Sequence, residues 1–177
     1  MHLRNGAHGY GVVTKSLHWL TVLLVLGQFL VGYLMDADDG GGGRGRGRGR
    51  GSGSGHGRGR GGEDRDDGYE LVGLLPVHVT LGILILAIAV ARVAWRLGTD
   101  LPPWAEQLSR TDQRIITWTE RALLLTLFVV PVTGLALVLG KDDDLLPLHV
   151  AAHVVFFTAL AAHVSMVLGK RLLPRML

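Results

Sequence analysis

The sequence has no cysteine, which excludes a disulfide, a thiolate metal site, an iron-sulfur cluster and a covalently attached c-type haem. Residues 40–62 also lack any large apolar side chain, because they consist of 14 Gly, six Arg, two Ser and one His. A segment with so little to bury is predicted to be a disordered Gly/Arg loop. The rest of the chain is therefore more apolar than the average hydrophobic content of 48% suggests.

Four long apolar stretches dominate the remainder of the chain. Each is about the 20 residues that an α-helix needs to cross ~30 Å of hydrocarbon. Four successive stretches without a polar face argue against buried helices of a soluble protein. The sequence therefore predicts one all-α domain over residues 1–177, an integral membrane four-helix bundle. The predicted spans are residues 17–35, 71–97, 115–139 and 145–168.

The placement of basic residues predicts the orientation, because Lys and Arg are retained on the cytoplasmic side of a membrane. With both termini cytoplasmic, ten of the 18 Lys and Arg residues lie on the inner side. Six of the eight outer ones belong to the Gly/Arg loop, which would face the periplasm. This loop is interpreted as a flexible insertion or as a cationic surface that gathers small anions. Nucleic acid is not an expected partner on that side.

Histidines inside the apolar spans are informative, because ionisable groups in a membrane are costly and usually functional. His149 and His163 are 14 residues apart on the fourth span, which separates them by ~21 Å on nearly the same helical face. His78 lies near the outer end of the second span, and His18 near the inner end of the first. These positions predict one interhelical pair at each level, His78 with His149 and His18 with His163.

Two such pairs are typical of bis-histidine haem ligation inside a four-helix bundle. Because no cysteine anchor exists, the predicted cofactors are two b-type haems. Zinc or copper is the weaker interpretation, since structural zinc needs four ligands close together and no carboxylate lies nearby. The role of His153, one turn from His149, has three interpretations. It could replace His149 as a ligand, hydrogen-bond the haem or a substrate, or simply pack against its neighbours.

Two further charged residues each have two interpretations. Arg92 is 14 residues beyond His78, near the inner level, where a guanidinium could pair with haem propionates or reach towards the membrane surface. Glu120, near the inner end of the third span, could pair with Arg121, Arg114 or a cation on the lipid side. A role for Glu120 in quinone protonation rests on its position alone.

Short motifs along the chain carry a family resemblance. They are residues 16–20 (SLHWL), 78–82 (HVTLG), 92–96 (RVAWR), 102–103 (PP), 131–135 (PVTGL) and 172–177 (LLPRML), with the His149 and His163 spacing. Together they resemble the bacterial cytochrome b561 proteins, which are four-helix di-haem membrane cytochromes. The resemblance covers nearly all of the chain except residues 40–62.

This resemblance implies that His18 and His163 ligate one haem on the inner side, and that His78 and His149 ligate the other on the outer side. It also implies electron transfer between the quinone pool and another donor or acceptor, since some relatives oxidise superoxide and reduce ubiquinone.

The chain departs from its relatives early in the third span. Where they often have a histidine and then a tyrosine, this sequence has Glu120 and Leu124. Histidines that often follow the last ligand in relatives are also missing. These departures leave the haem scaffold intact and put chemistry that depends on those side chains in question.

The predicted function is therefore that of a membrane electron-transfer cytochrome, an oxidoreductase of the bacterial inner membrane in contact with lipid. Ubiquinone is the expected substrate, and superoxide is the hypothesised donor at the outer face. An alternative is a haem b anchor subunit that serves a soluble redox partner in a dehydrogenase or hydrogenase complex. A transporter that uses the histidines as a proton path is a third interpretation, and it predicts a colourless protein.

Overall fold

The computed structural model describes residues 3–6, 9–40, 68–140 and 143–176. It contains four long helices, namely α1 (Val12–Gly40), α2 (Gly68–Leu97), α3 (Arg110–Gly140) and α4 (Leu146–Gly169).

Two short 3-10 segments, Asp143–Leu145 and Leu173–Arg175, flank α4. An isolated bridge between Gly6 and Gly9 is the only β-type pairing among the described residues. The predicted Gly/Arg loop lies outside the described residues, apart from Gly40 at the end of α1.

Each of the four helices is long and apolar enough to cross a membrane. The candidate spans are Val12–Met35, Gly73–Leu97, Arg110–Gly140 and Leu146–Gly169. Large apolar side chains point outwards along them, and Leu23, Leu26 and Leu30 of α1 are each at least 60% exposed. A surface this apolar is suited to lipid rather than water. The prediction of an all-α four-helix membrane protein is confirmed.

Helix α3 begins five residues before its predicted apolar span because a capping box fixes its first turn. The Ser109 hydroxyl accepts a hydrogen bond from the Asp112 amide at 3.2 Å, and the Asp112 carboxylate accepts one from the Ser109 amide at 3.0 Å. This reciprocal pairing satisfies backbone donors that a helix start leaves unpaired. The same carboxylate contacts the Lys170 ammonium at 2.9 Å, which joins the start of α3 to the end of α4.

Consecutive helices pack side by side, so that α2 lies against both α1 and α3, and α3 lies against α4. The buried core at the middle of the bundle consists of Ile85, Ala89, Leu127 and Phe156. Helices α1 and α4 meet mainly through side chains, as where the Phe29 ring lies 4.7 Å from that of Phe157. Contact between α1 and α4 therefore depends on side chains more than on close approach of the two backbones.

Both described ends of the chain and the α2–α3 connection meet at one end of the bundle, here called the terminal end (residues 3–6, 9–11, 98–109 and 170–176). The Asn5 side chain donates to the Asp100 carbonyl at 3.0 Å, and the Arg175 guanidinium donates to the Pro103 carbonyl at 2.6 Å. Trp19 of α1 donates to the Met176 carbonyl at 2.9 Å. These bonds place both described ends of the chain on the same side of the four helices.

The start of α1 depends on a close approach of two backbone segments. The Asn5 carboxamide oxygen accepts hydrogen bonds from the Gly11 amide at 2.9 Å and the Thr14 hydroxyl at 2.8 Å. A Cβ atom at Gly11 would overlap the backbone of Leu3 and Arg4. Backbone atoms cannot swing aside as a long side chain can, so this position requires glycine.

We expect the substitution Gly11→Ala to displace residues 3–6 from α1 and to lower the free energy of unfolding by about 1–3 kcal/mol. The matched control is Gly6→Ala, because a Cβ atom at Gly6 meets nothing within 4 Å. Thermal midpoints of the two purified variants in detergent provide the measurement. Equal midpoints would show that the close approach at Gly11 does not limit stability.

Candidate functional site

Four histidines within the apolar helices lie at two levels of the bundle. His18 of α1 and His163 of α4 lie towards the terminal end. His78 of α2 and His149 of α4 lie towards the opposite end, where they line one cavity. The structure therefore brings together, at each level, the two side chains that the sequence analysis pairs.

The terminal-end pair consists of two half-buried imidazoles that face each other across the gap between α1 and α4. The ring centroids of His18 and His163 are 6.5 Å apart, and their planes are inclined by 47°. If both imidazoles bind one metal ion from opposite sides, each nitrogen lies about 2 Å from the metal. With the size of the two rings added, the ring centroids would then be about as far apart as they are here. The rings are too far apart to hydrogen-bond each other directly.

Arg92 of α2 extends towards the same level. Its guanidinium donates to the Thr21 hydroxyl of α1 at 3.3 Å, and it is close enough for its charge to act on both His18 and His163. The Thr21 hydroxyl in turn donates to the Leu17 carbonyl at 2.7 Å. Arg92 is therefore held inside the bundle beside the imidazole pair and does not extend along the lipid-facing surface.

The opposite level contains a cavity of about 240 Å³ with mostly apolar walls. Its polar lining comes from four side chains, namely His78, His149, His153 and Gln28. An apolar cavity with a few convergent polar groups is the usual form of a cofactor or ligand site.

His149 has its hydrogen bonding arranged as a metal ligand requires. The Thr133 hydroxyl of α3 donates to the Val129 carbonyl at 2.7 Å, so its oxygen is available to accept. That oxygen lies 2.8 Å from His149 Nδ1, and in the tautomer with the proton on Nδ1 the imidazole donates a hydrogen bond to Thr133. The lone pair of Nε2 is then free to bind a metal, as in metal sites where a hydrogen bond orients the ligating ring.

Two glycines make room for the two imidazoles at this level. A Cβ atom at Gly134 of α3 would lie 3.0 Å from His149 Cε1, and one at Gly32 of α1 would lie 3.3 Å from His78 Cε1. Both distances are shorter than an ordinary carbon-carbon contact. Each ring is thus seated against the backbone of a neighbouring helix, and the residues present suit a bulky group held between the rings.

His153 differs from the other intramembrane histidines in how it bonds. Its Nδ1 lies 2.9 Å from the His149 carbonyl of its own helix, and its ring packs edge-on against His149 at 4.5 Å. The Phe29 ring also contacts it at 5.6 Å. His153 lines the cavity, but it is tied to its own helix and to an aromatic cluster.

Glu120 has a different partner from those that the sequence analysis weighed. Its carboxylate lies 3.8 Å from the Arg96 guanidinium of α2, whereas Arg121 stacks over the Trp118 ring at 5.7 Å. Neighbours in sequence point to different sides of a helix, so Arg121 cannot face Glu120. Packing of α2 against α3 supplies Arg96 instead.

Sequence reasoning missed three residues of this site, namely Gln28, Gly32 and Thr133. Gln28 is an uncharged polar residue in an otherwise apolar span, and Gly32 follows it by one helical turn. An amide inside a bilayer is a signal of the same kind as an intramembrane histidine. Thr133 lies within the PVTGL motif, but its contact with His149 depends on how α3 and α4 pack.

A family model described as prokaryotic cytochrome b561 matches residues 9–177, which include all four helices. No curated protein and no solved structure gives a significant match. Among the residues that the structure describes, no group of three or more His, Asp or Glu side chains could hold a bare metal ion. Because the match spans almost the whole chain, this protein belongs to the prokaryotic cytochrome b561 family and is a multi-pass bacterial membrane cytochrome of the b type that takes part in electron transfer.

Proposed function

We propose that the chain holds two b-type haems, one between His18 and His163 and the other between His78 and His149. The observation that carries this proposal is the facing arrangement of His18 and His163 on separate helices, 6.5 Å apart. The cavity beside His78 and His149, with Thr133 bonded to His149 Nδ1, supports the second site.

Bound haem supplies reversible one-electron oxidation and reduction at its iron. Two imidazoles for each iron leave no open coordination position, which disfavours oxygen binding and favours outer-sphere electron transfer. The chain's own contribution is to seat His78 against Gly32 and His149 against Gly134, to bond Thr133 to His149, and to exclude water with the aromatic cluster around Phe29. Arg92 is placed to neutralise a haem propionate at the terminal end.

The proposed substrate is ubiquinone, and the proposed donor at the outer face is superoxide. Membership of the cytochrome b561 family supports exchange of electrons with quinone. The six Arg residues of the Gly/Arg loop support a small anionic donor, because a cationic surface raises the local concentration of anions. In this proposal both termini are cytoplasmic and the loop faces the periplasm, across the bacterial inner membrane.

Haem content tests the ligand assignment directly. We expect the purified protein to carry two haems per chain, and His163→Ala and His149→Ala each to carry one. His153→Ala is the matched control and should keep both, since its Nδ1 bonds to the backbone of its own helix. A pyridine haemochrome assay with a protein determination gives the ratio. A His149→Ala protein that retains two haems, or a wild-type protein without pigment, would refute the assignment.

The close packing of Gly134 against the His149 ring provides an independent test. We expect Gly134→Val to lose one of the two haems, because the added side chain would occupy the space of the His149 ring. Gly73→Val on α2 is the control, because a Cβ atom there meets nothing within 4 Å. Reduced-minus-oxidised visible spectra, normalised to protein, give the measurement. Equal spectra for the two variants would show that close packing of Gly134 on His149 is not required.

The Gly/Arg loop tests the superoxide part of the proposal. Deletion of residues 40–62 should slow haem reduction by superoxide and weaken its dependence on salt, because the steering charge is lost. A loop of the same length with all six Arg replaced by Ser should behave like the deletion. Stopped-flow haem reduction with a superoxide source is the measurement. Unchanged rates in both proteins would remove the loop from the mechanism.

Reduction of ubiquinone by the purified chain alone, after its haems are reduced, would support a stand-alone oxidoreductase. Co-purification of a soluble dehydrogenase or hydrogenase in a fixed ratio would instead favour the anchor-subunit interpretation.

A further inference from the structure

Two buried side-chain atoms in the described part of the chain have no hydrogen-bond partner, and they belong to neighbouring residues. They are Oε1 of Gln28 on α1 and Nδ1 of His78 on α2. An unpaired polar atom buried in an apolar site typically costs about 1–3 kcal/mol. Both residues line the 240 Å³ cavity, so the unpaired atoms lie at the site proposed for haem.

The one hydrogen bond between these side chains uses the other atom of each group. The Gln28 carboxamide nitrogen, Nε2, lies 2.9 Å from His78 Nε2 and donates to it. This bond occupies the lone pair of the nitrogen that, by analogy with His149, would bind iron. It also leaves the acceptor oxygen of Gln28 and the second ring nitrogen of His78 unsatisfied.

Metal binding at His78 Nε2 would displace the Gln28 amide from that nitrogen. Because Nε2 accepts from Gln28, the proton of neutral His78 is already on Nδ1, and it stays there when Nε2 binds a metal, so Nδ1 is a donor that needs an acceptor in both states. For His149 of α4 the corresponding acceptor is in place on α3, since the Thr133 hydroxyl lies 2.8 Å from His149 Nδ1. On the α1 side of His78, Gly32 has no side chain to offer, and Gln28 one turn earlier has an unused oxygen.

We infer that Gln28 is a positioning residue for the haem ligand His78. When iron binds Nε2, the Gln28 carboxamide oxygen accepts the Nδ1 proton of His78, as Thr133 does for His149. One rearrangement of the amide then satisfies both unpaired atoms. This inference rests on the proposed haem between His78 and His149.

The consequence is measurable as a reduction potential. An acceptor on Nδ1 makes an imidazole a stronger electron donor, which stabilises the oxidised iron and lowers the potential. Removing the acceptor should therefore raise the midpoint potential of one haem and leave the other unchanged. If Gln28 had only a structural role, its replacement would not be expected to move the midpoint potential of that haem in a particular direction.

We expect Gln28→Met, which keeps the length of the side chain but has no acceptor oxygen, to shift one of two midpoints to a more positive value. Thr133→Val should shift the same haem in the same direction, because it removes the acceptor of the opposite ligand. Gln28→Glu, which retains an oxygen, should not shift it upwards. Thr126→Val is the matched control, because this buried hydroxyl of α3 bonds only to the Leu123 carbonyl. Spectroelectrochemical titration in detergent provides the two midpoints of the wild type and of each of the four variants.

The outcomes separate this inference from the proposed function. A wild-type protein without haem would overturn the proposed function itself. Two haems in the wild type and unchanged midpoints in Gln28→Met would overturn the inference alone. If Gln28→Met loses one haem while Gln28→Glu and Thr126→Val keep both, the positioning role is supported. Loss of one haem in Thr126→Val as well would contradict it, because the effect would then not be specific to the ligand.

Discussion

An imidazole inside a membrane helix bundle needs free space on one side and a hydrogen-bond acceptor on the other. Without space the ring cannot fit between close-packed helices, and without an acceptor its N–H group is buried unpaired. In this protein Gly134 and Thr133 meet both requirements for His149 from adjacent positions of α3. The rest of the bundle serves to keep α3, α4 and the facing helices at the separation that this arrangement requires.

The two levels of the bundle differ in how completely these requirements are met. At the terminal end, His18 and His163 face each other beside Arg92, which is itself bonded to Thr21. At the opposite end, His149 Nδ1 has the Thr133 hydroxyl as its hydrogen-bond partner, whereas His78 Nδ1 has no acceptor. The unpaired atoms of Gln28 and His78 therefore mark the part of this site whose hydrogen bonding is incomplete.

Much of the fold is predictable from the sequence because hydropathy alone determines which segments cross a membrane. Helix starts were less predictable, since the beginning of α3 depends on the polar pair Ser109 and Asp112, which a count of apolar residues ignores. The levels of the histidines follow from their spacing along each helix. The partner of Glu120 does not, because Arg96 reaches it only through the packing of α2 against α3. For the same reason Thr133 became visible as a site residue only when α3 and α4 were seen together.

The meeting of both chain ends with the α2–α3 connection has a consequence for biogenesis. Helices α1 and α2 form one hairpin, and α3 and α4 form another. In the proposed orientation, with both described ends of the chain cytoplasmic, only the segments at the tips of the hairpins would have to pass through the membrane. The second tip is short, whereas the first includes residues 41–67 with their many charged side chains. In that orientation we expect transfer of this polar segment to be the most demanding step of insertion, because charged side chains are costly in hydrocarbon.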